Sequence, residues 1–170
     1  FLGFSLTAIN KILFFALLLL PMLAMFFFLK ELLQKKDNLF IAKAAFIGAV
    51  FYVFNVYYMH MIMDQAIILT YFFVPLILYL FLRGLRKNQL LLHALYIAIA
   101  AFFYSPVNPN SYIIGPLFIA AFIAYYLGRA LLLKDFLLVK KTIRFVLFIL
   151  VFSILTDLYW LLPYSTYLQS

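Results

Sequence analysis

The sequence predicts an all-α fold, a polytopic transmembrane helix bundle of about six spans. Three observations carry that expectation. Apolar residues fill 69% of the 170 positions and charged residues 11%, against roughly half and about a quarter in soluble domains. The apolar residues fall into long runs divided by short polar breaks. Lys and Arg gather at alternate breaks. The chain reads as one transmembrane domain over 1–170. Its opening FLGFSLTAINK has no Met start, charged leader or cleavage site, so it is expected to be a piece of a larger membrane protein.

Each span follows from its boundaries. Span A is 12–29, between Lys11 and Lys30. Span B is 39–59, after the KKDN break, and span C is 66–82, ended by Arg83. Span D is 90–104 and span E is 111–127, joined by SPVNPN. Span F is 143–163, ending at Pro163. A full crossing takes roughly 20 residues. Span D is short by that measure, so D and E form either a crossing hairpin or a re-entrant pair. Pro21 and Pro75 read as kinks within spans A and C. Between E and F, RALLLKDFLLVKKT interleaves leucines with charges. It is expected to form an amphipathic helix lying in the interface.

Sidedness follows from the 13 Lys and Arg residues. Lys30, Lys35, Lys36 and Lys43 flank the A–B break, and Arg83, Arg86 and Lys87 fill C–D. Arg129, Lys134, Lys140, Lys141 and Arg144 lie around E–F, and Lys11 alone sits on the other side. Basic connections are retained in the cytoplasm. Both ends of the stretch are then extracytoplasmic, and the protein is a multi-pass protein of the plasma membrane. Anionic headgroups and topology control account for the net charge of +8, and no nucleic-acid partner is expected.

The external ends collect the remaining polar chemistry. The B–C connection carries Asn55, His60, Asp64 and Gln65. The D–E connection carries Asn108, and the end of F carries Asp157, Trp160 and Tyr164. His60 and Asp64 are four apart and would share a helix face. Asp157 lies two turns before Pro163, where a carboxylate is costly unless paired or wet. Trp160 and the tyrosines suit a membrane–water boundary. His60, Asp64, Asn108, Asp157, Trp160 and Tyr164 are therefore the candidate substrate-binding residues. Asp64 and Asp157 are the candidate ligands of a divalent metal ion, the one cofactor the residues suggest. A plainer reading stands beside each. His60 and Asp64 also suit a solvated turn, Asp157 an interhelical hydrogen bond, and SPVNPN a tight turn.

Other chemistry is excluded. There is no cysteine, hence no disulfide or thiolate site. No Gly-rich phosphate loop, paired-histidine metal helix or Ser nucleophile elbow occurs.

Several stretches resemble one family, in the same order. SLTAINKILFFALLLLPMLAMFFFLKELL is similar to an early span of polytopic GT-C type glycosyltransferases, above all the arabinofuranosyltransferase-like and related multispanning membrane proteins. FYVFNVYYMHMIMDQAIILTYFFVPLILYLFLRGLRK resembles their next pair of spans. There Asn55, Tyr57, Tyr71 and Pro75 match the pattern, and Val56 stands where a proline is usual. YSPVNPNSYIIGPLFIAAFIAYYL resembles the following hairpin, and DLYWLLPYSTYL the Trp-x-x-Pro stretch that leaves the membrane outward. The resemblance covers about residues 5–168. It implies sugar transfer from a polyprenyl-phosphate-linked donor on the extracytoplasmic side. It also implies a catalytic carboxylate in a loop preceding span A, so no catalytic residue is assigned here. A donor phosphate prefers Arg or Lys, and on that side the sequence offers Lys11.

The alternative is a structural or assembly subunit of a membrane complex without catalytic activity. It would bury small-residue faces against other membrane subunits; Ala44, Ala45, Gly48 and Ala49 in B, and Ala98, Ala100 and Ala101 in D, offer such faces. A transporter would place charges near mid-bilayer and repeat its spans, and neither feature is present.

Overall fold

In the computed structural model, residues 5–33, 38–61, 65–104 and 111–167 are described. Among them every regular element is an α-helix: α1 (Leu6–Leu32), α2 (Asn38–Val53), α3 (Val56–Met61), α4 (Gln65–Lys87), α5 (Leu90–Tyr104), α6 (Ser111–Leu132) and α7 (Phe136–Tyr167). The all-helical expectation holds. Three described stretches are long and apolar enough to cross a membrane: Thr7–Leu32, Leu69–Lys87 and Gly115–Leu132. They overlap spans A, C and E. Leu39–Val53 and Leu90–Phe103, in spans B and D, are apolar but shorter. In the most apolar 18 residues of each stretch, 17%, 39% and 11% are buried within the protein. Phe15, Phe40, Phe51 and Leu117 are each more than half exposed. Such surfaces suit hydrocarbon rather than water.

The chain divides into two compact units, Phe1–Tyr79 and Leu80–Ser170. In the first, α1 packs on α2. Ile41, Ala45, Ala49 and Val53 recur every four residues on α2, and all are buried. On α1 the buried residues are Pro21, Ala24, Phe28 and Glu31. Leu29 of α1 approaches Gly48, while Leu17, three turns earlier, meets Tyr58. The α2–α3 segment therefore runs antiparallel to α1.

Span B is not one helix. It stops at Val53 and restarts at Val56. Asn55 makes the break: its Nδ2 donates to the Tyr52 carbonyl, and its Oδ1 accepts the Tyr58 N–H at 2.8 Å. An asparagine that caps the next turn competes with the continuing helix.

In the second unit, α7 packs on α5 and on α6. Phe81 of α4 is stacked on Phe145 of α7, centroids 5.2 Å apart and planes 4° from parallel. Phe122 and Tyr126 of α6 meet Phe81 edge-on at 6.4 and 6.3 Å. Ala94, Ile97 and Ala98 form the buried face of α5.

α4 and α6 end in the same way. Asn88 and Lys134 adopt φ 57 and 56. The following N–H groups reach back five residues, Gln89 to the Gly84 carbonyl at 3.2 Å and Asp135 to the Ala130 carbonyl at 2.9 Å. This left-handed cap satisfies carbonyls that the helix end would otherwise orphan. The second cap corrects the expected interfacial helix. RALLLKDFLLVKKT is the end of α6, a turn, and the start of α7. Asp135 accepts the Leu138 N–H at 3.0 Å and so starts the new helix. Residues 131–137 are exposed.

Candidate functional site: a tyrosine junction, a half-buried acid and an amphipathic groove

The polar chemistry of the first unit converges on two prolines. A proline lacks an N–H, so the carbonyl four residues earlier loses its helical donor. Pro21 does this to Leu17, and Pro75 to Tyr71. Each freed carbonyl takes a tyrosine hydroxyl from a neighbouring helix. Tyr58 of α3 donates to the Leu17 carbonyl, and Tyr52 of α2 donates to the Tyr71 carbonyl at 3.0 Å. The rings pack together, with Tyr71 centred 5.0 Å from Tyr52 and 4.9 Å from Tyr58. Tyr58 and Val53 are fully buried, with Leu17, Leu18 and Met22 against them. Both hydroxyls are committed to backbone. The cluster joins helices rather than acting on a ligand.

The residues singled out from the sequence are not gathered into one site by the described residues. His60 is exposed on the last turn of α3. Asp64, its expected partner at four residues, and Asn108 lie outside the described residues. Asp157 is half-buried on α7, beside Thr156, whose hydroxyl donates to the Ser153 carbonyl at 2.9 Å. Trp160 and Tyr164 continue the same helix for two further turns; their side chains are outside the described set. Among the described residues, no three His, Asp or Glu side chains approach closely enough to hold a metal ion.

The second unit contains a groove of about 590 Å³ that sequence reasoning did not single out. Its walls come from the α4–α5 turn, α5 and α7. Asn88, Gln89 and Arg144 line it with polar atoms, and Leu91, Leu92, Leu95, Phe148 and Phe152 with apolar ones. Arg144, Phe148 and Phe152 lie at four-residue spacing, so they form one stripe along α7. Leu91 and Leu95 do the same on α5. The Arg144 guanidinium sits 5.3 Å above the Phe148 ring, an attractive cation–π contact. That i, i+4, i+8 pattern of a cation and two aromatics was visible in the sequence as a signal.

Other polar groups in this unit serve the packing. Lys141 donates to the Leu85 carbonyl near the end of α4, and His93 Nδ1 lies 2.9 Å from the Gln89 carbonyl at the start of α5. The Lys141 contact satisfies a carbonyl that the end of α4 would otherwise leave unpaired, whereas the Gln89 carbonyl also accepts the His93 backbone N–H at 3.2 Å.

No protein-family model matches the chain, no curated protein is significantly similar to it, and no solved structure matches it.

Proposed function

We propose that the chain is the membrane part of a glycosyltransferase-like protein. It transfers a sugar from a polyprenyl-phosphate-linked donor on the extracytoplasmic side. The ordered resemblance of its spans to GT-C type enzymes supports this reading. The observation that carries it is Asp157, a half-buried carboxylate on α7 just before the Trp160–Pro163 stretch. An acid so placed in an apolar helix marks a functional position by default. It meets the sugar hydroxyls, while Lys11, exposed on α1, is the cation on that side that suits the donor phosphate. The basic connections face the cytoplasm, so the work is done at the opposite boundary.

The alternative, an assembly subunit, rests on the small-residue faces. Ala45 and Ala49 of α2 and Ala98 of α5 are fully buried within this chain. That leaves those positions unavailable to another subunit.

The test uses the full-length natural protein in lipid vesicles, supplied with polyprenyl-phosphate sugars and an acceptor extract. Transfer is expected, and Asp157→Asn is expected to lower it by at least tenfold without changing membrane insertion. Transfer unaffected by Asp157→Asn removes that residue from the site. No transfer from any donor, together with unaltered surface glycans in cells lacking the protein, sinks the enzyme reading and leaves the assembly subunit.

A further inference from the structure

We propose that the groove between α5 and α7 binds one anionic phospholipid, taken from the leaflet on the Lys/Arg-rich side of the protein. This site is separate from the proposed sugar transfer and does not depend on it.

The lining is ordered along the groove as a lipid is ordered along its length. Asn88 and Gln89 precede α5, and Arg144 lies in the first third of α7. From there both helices carry the groove toward apolar residues: Leu91 and Leu95 on α5, Phe148 and Phe152 on α7. At 1.5 Å per residue, Arg144 to Phe152 covers about 12 Å. That is most of one leaflet of a bilayer whose hydrocarbon core is about 30 Å thick. The volume of about 590 Å³ lies within the usual range for a small-molecule site. It accommodates the upper part of an acyl chain together with its headgroup linkage.

Charge selects the headgroup. Arg144 is exposed, and a guanidinium matches phosphate oxygens with two parallel N–H donors. The N–H groups of the first turn of α5 lie at the same polar end, where no helical carbonyl reaches them. Lys140, one turn before Arg144 on α7, is also exposed and adds positive potential. The acid nearest in sequence, Asp135, is occupied in capping α7. A zwitterionic lipid brings a second cation to this end, whereas phosphatidylglycerol and similar lipids bring net negative charge. The tail end sorts occupants as well. Leu91 is 58% and Leu95 39% exposed on a helix that packs its opposite face on the protein, so a hydrocarbon chain gains contact along the open side.

The experiment measures lipid retained by the full-length protein. The protein is purified from nanodiscs that contain phosphatidylcholine, phosphatidylglycerol and polyprenyl phosphate, and read by native mass spectrometry. One phosphatidylglycerol per chain is expected to persist in preference to phosphatidylcholine. Arg144→Gln should lower that preference by about tenfold, the order expected for losing a charge-assisted hydrogen-bond pair. Lys134→Gln, which removes a charge from the α6–α7 turn instead, should leave it unchanged. Leu95→Trp, which fills the apolar part, should reduce retention of both phospholipids. Equal losses from Arg144→Gln and Lys134→Gln would mean diffuse attraction and overturn the site. So would retention of polyprenyl phosphate that Arg144→Gln abolishes, or a Leu95→Trp variant that retains lipid normally. A dimer that dissociates on Leu95→Trp would make the groove a contact between copies, and the proposal would fall.

Discussion

The first unit ties its helices together with hydroxyls; the second does so with rings and a glycine. In Phe1–Tyr79, Tyr52 and Tyr58 each donate to a carbonyl freed by a proline on another helix. In Leu80–Ser170, Phe81 lies flat on Phe145, and Gly84 lets α4 come against Phe145 and His93. The difference follows from the bilayer as solvent. Lipid tails are as apolar as leucine, so burying leucine between helices gains little there. What remains is a hydrogen bond that lipid cannot supply, or contact closer than lipid achieves. Each unit relies mainly on one of these.

The largest effect is expected where contact alone holds the helices. Phe145 is fully buried and supports Phe81, which carries Phe122 and Tyr126 on its other edges. Phe145→Ala removes the ring under the whole stack. Large-to-small changes of this kind cost about 3–5 kcal/mol in water-soluble cores. The lower end, about 3 kcal/mol, applies here because the transfer share of that cost is weak in lipid. Unfolding in mixed micelles measures it. A loss near zero would mean that the stack is not what joins α4 to α7.

Gly84→Ala comes next, at about 1–3 kcal/mol by the same measurement. A Cβ there would lie 2.6 Å from Phe145 Cζ and 2.8 Å from His93 Cβ. The ring cannot swing away without leaving Phe81, and a Cβ moves only with its backbone. Alanine's better helix propensity, worth about 1 kcal/mol, does not offset the clash.

Tyr58→Phe tests the other unit. It leaves the Leu17 carbonyl without a donor, at about 1–2 kcal/mol by the scale of interhelical hydrogen bonds in membranes. The sharper test is a double-mutant cycle. Pro21→Ala restores an N–H at position 21, which satisfies Leu17 within α1. Tyr58→Phe in that background should then cost less than about 0.5 kcal/mol, and the difference is the coupling. An unchanged cost in both backgrounds would show that Tyr58 acts through its ring alone.

These two units also differ in how far the sequence announced them. Span D and α5 share the bounds 90–104 because Asn88–Gln89 and Ser105 interrupt an otherwise apolar run. The break in span B is hidden in the composition, because Phe54 and Val56 keep the run apolar on both sides of Asn55. Its signal was an asparagine three residues before Tyr58, the spacing of an N-cap and the N–H it accepts. Asp135 and Leu138 carried the same signal inside RALLLKDFLLVKKT, and composition masked it. The tyrosine junction was half legible. Proline at 21 and 75 announces freed carbonyls at 17 and 71. Which hydroxyl answers each depends on helix packing between residues 41 and 19 positions apart. Likewise Arg144, Phe148 and Phe152 form a stripe by spacing, but only the neighbouring α5 turns a stripe into a groove. Of the external candidates, His60 and Asp157 are placed and separate in sequence, and Asp64 and Asn108 lie outside the described residues.

The smallest effect belongs to the other close-approach glycine. A Cβ on Gly48 would also lie 2.6 Å from a neighbour, but that neighbour is Leu29 Cδ1, the end of a flexible side chain. The next nearest atom is Leu29 Cγ at 4.0 Å. A rotamer change moves the methyl aside, at about 0.5–1.5 kcal/mol if the side chain is left off its preferred well. Alanine in a helix interior returns about 0.5–1 kcal/mol relative to glycine. The two nearly cancel, so Gly48→Ala should shift stability by less than about 0.5 kcal/mol. The same substitution at Gly84 should cost several times more, although the nearest distance is the same at both sites. Equal losses at the two glycines would mean that α1 and α2 meet as rigidly as α4 and α7 do. The contrast between a unit joined by hydroxyls and one joined by contact would then fail.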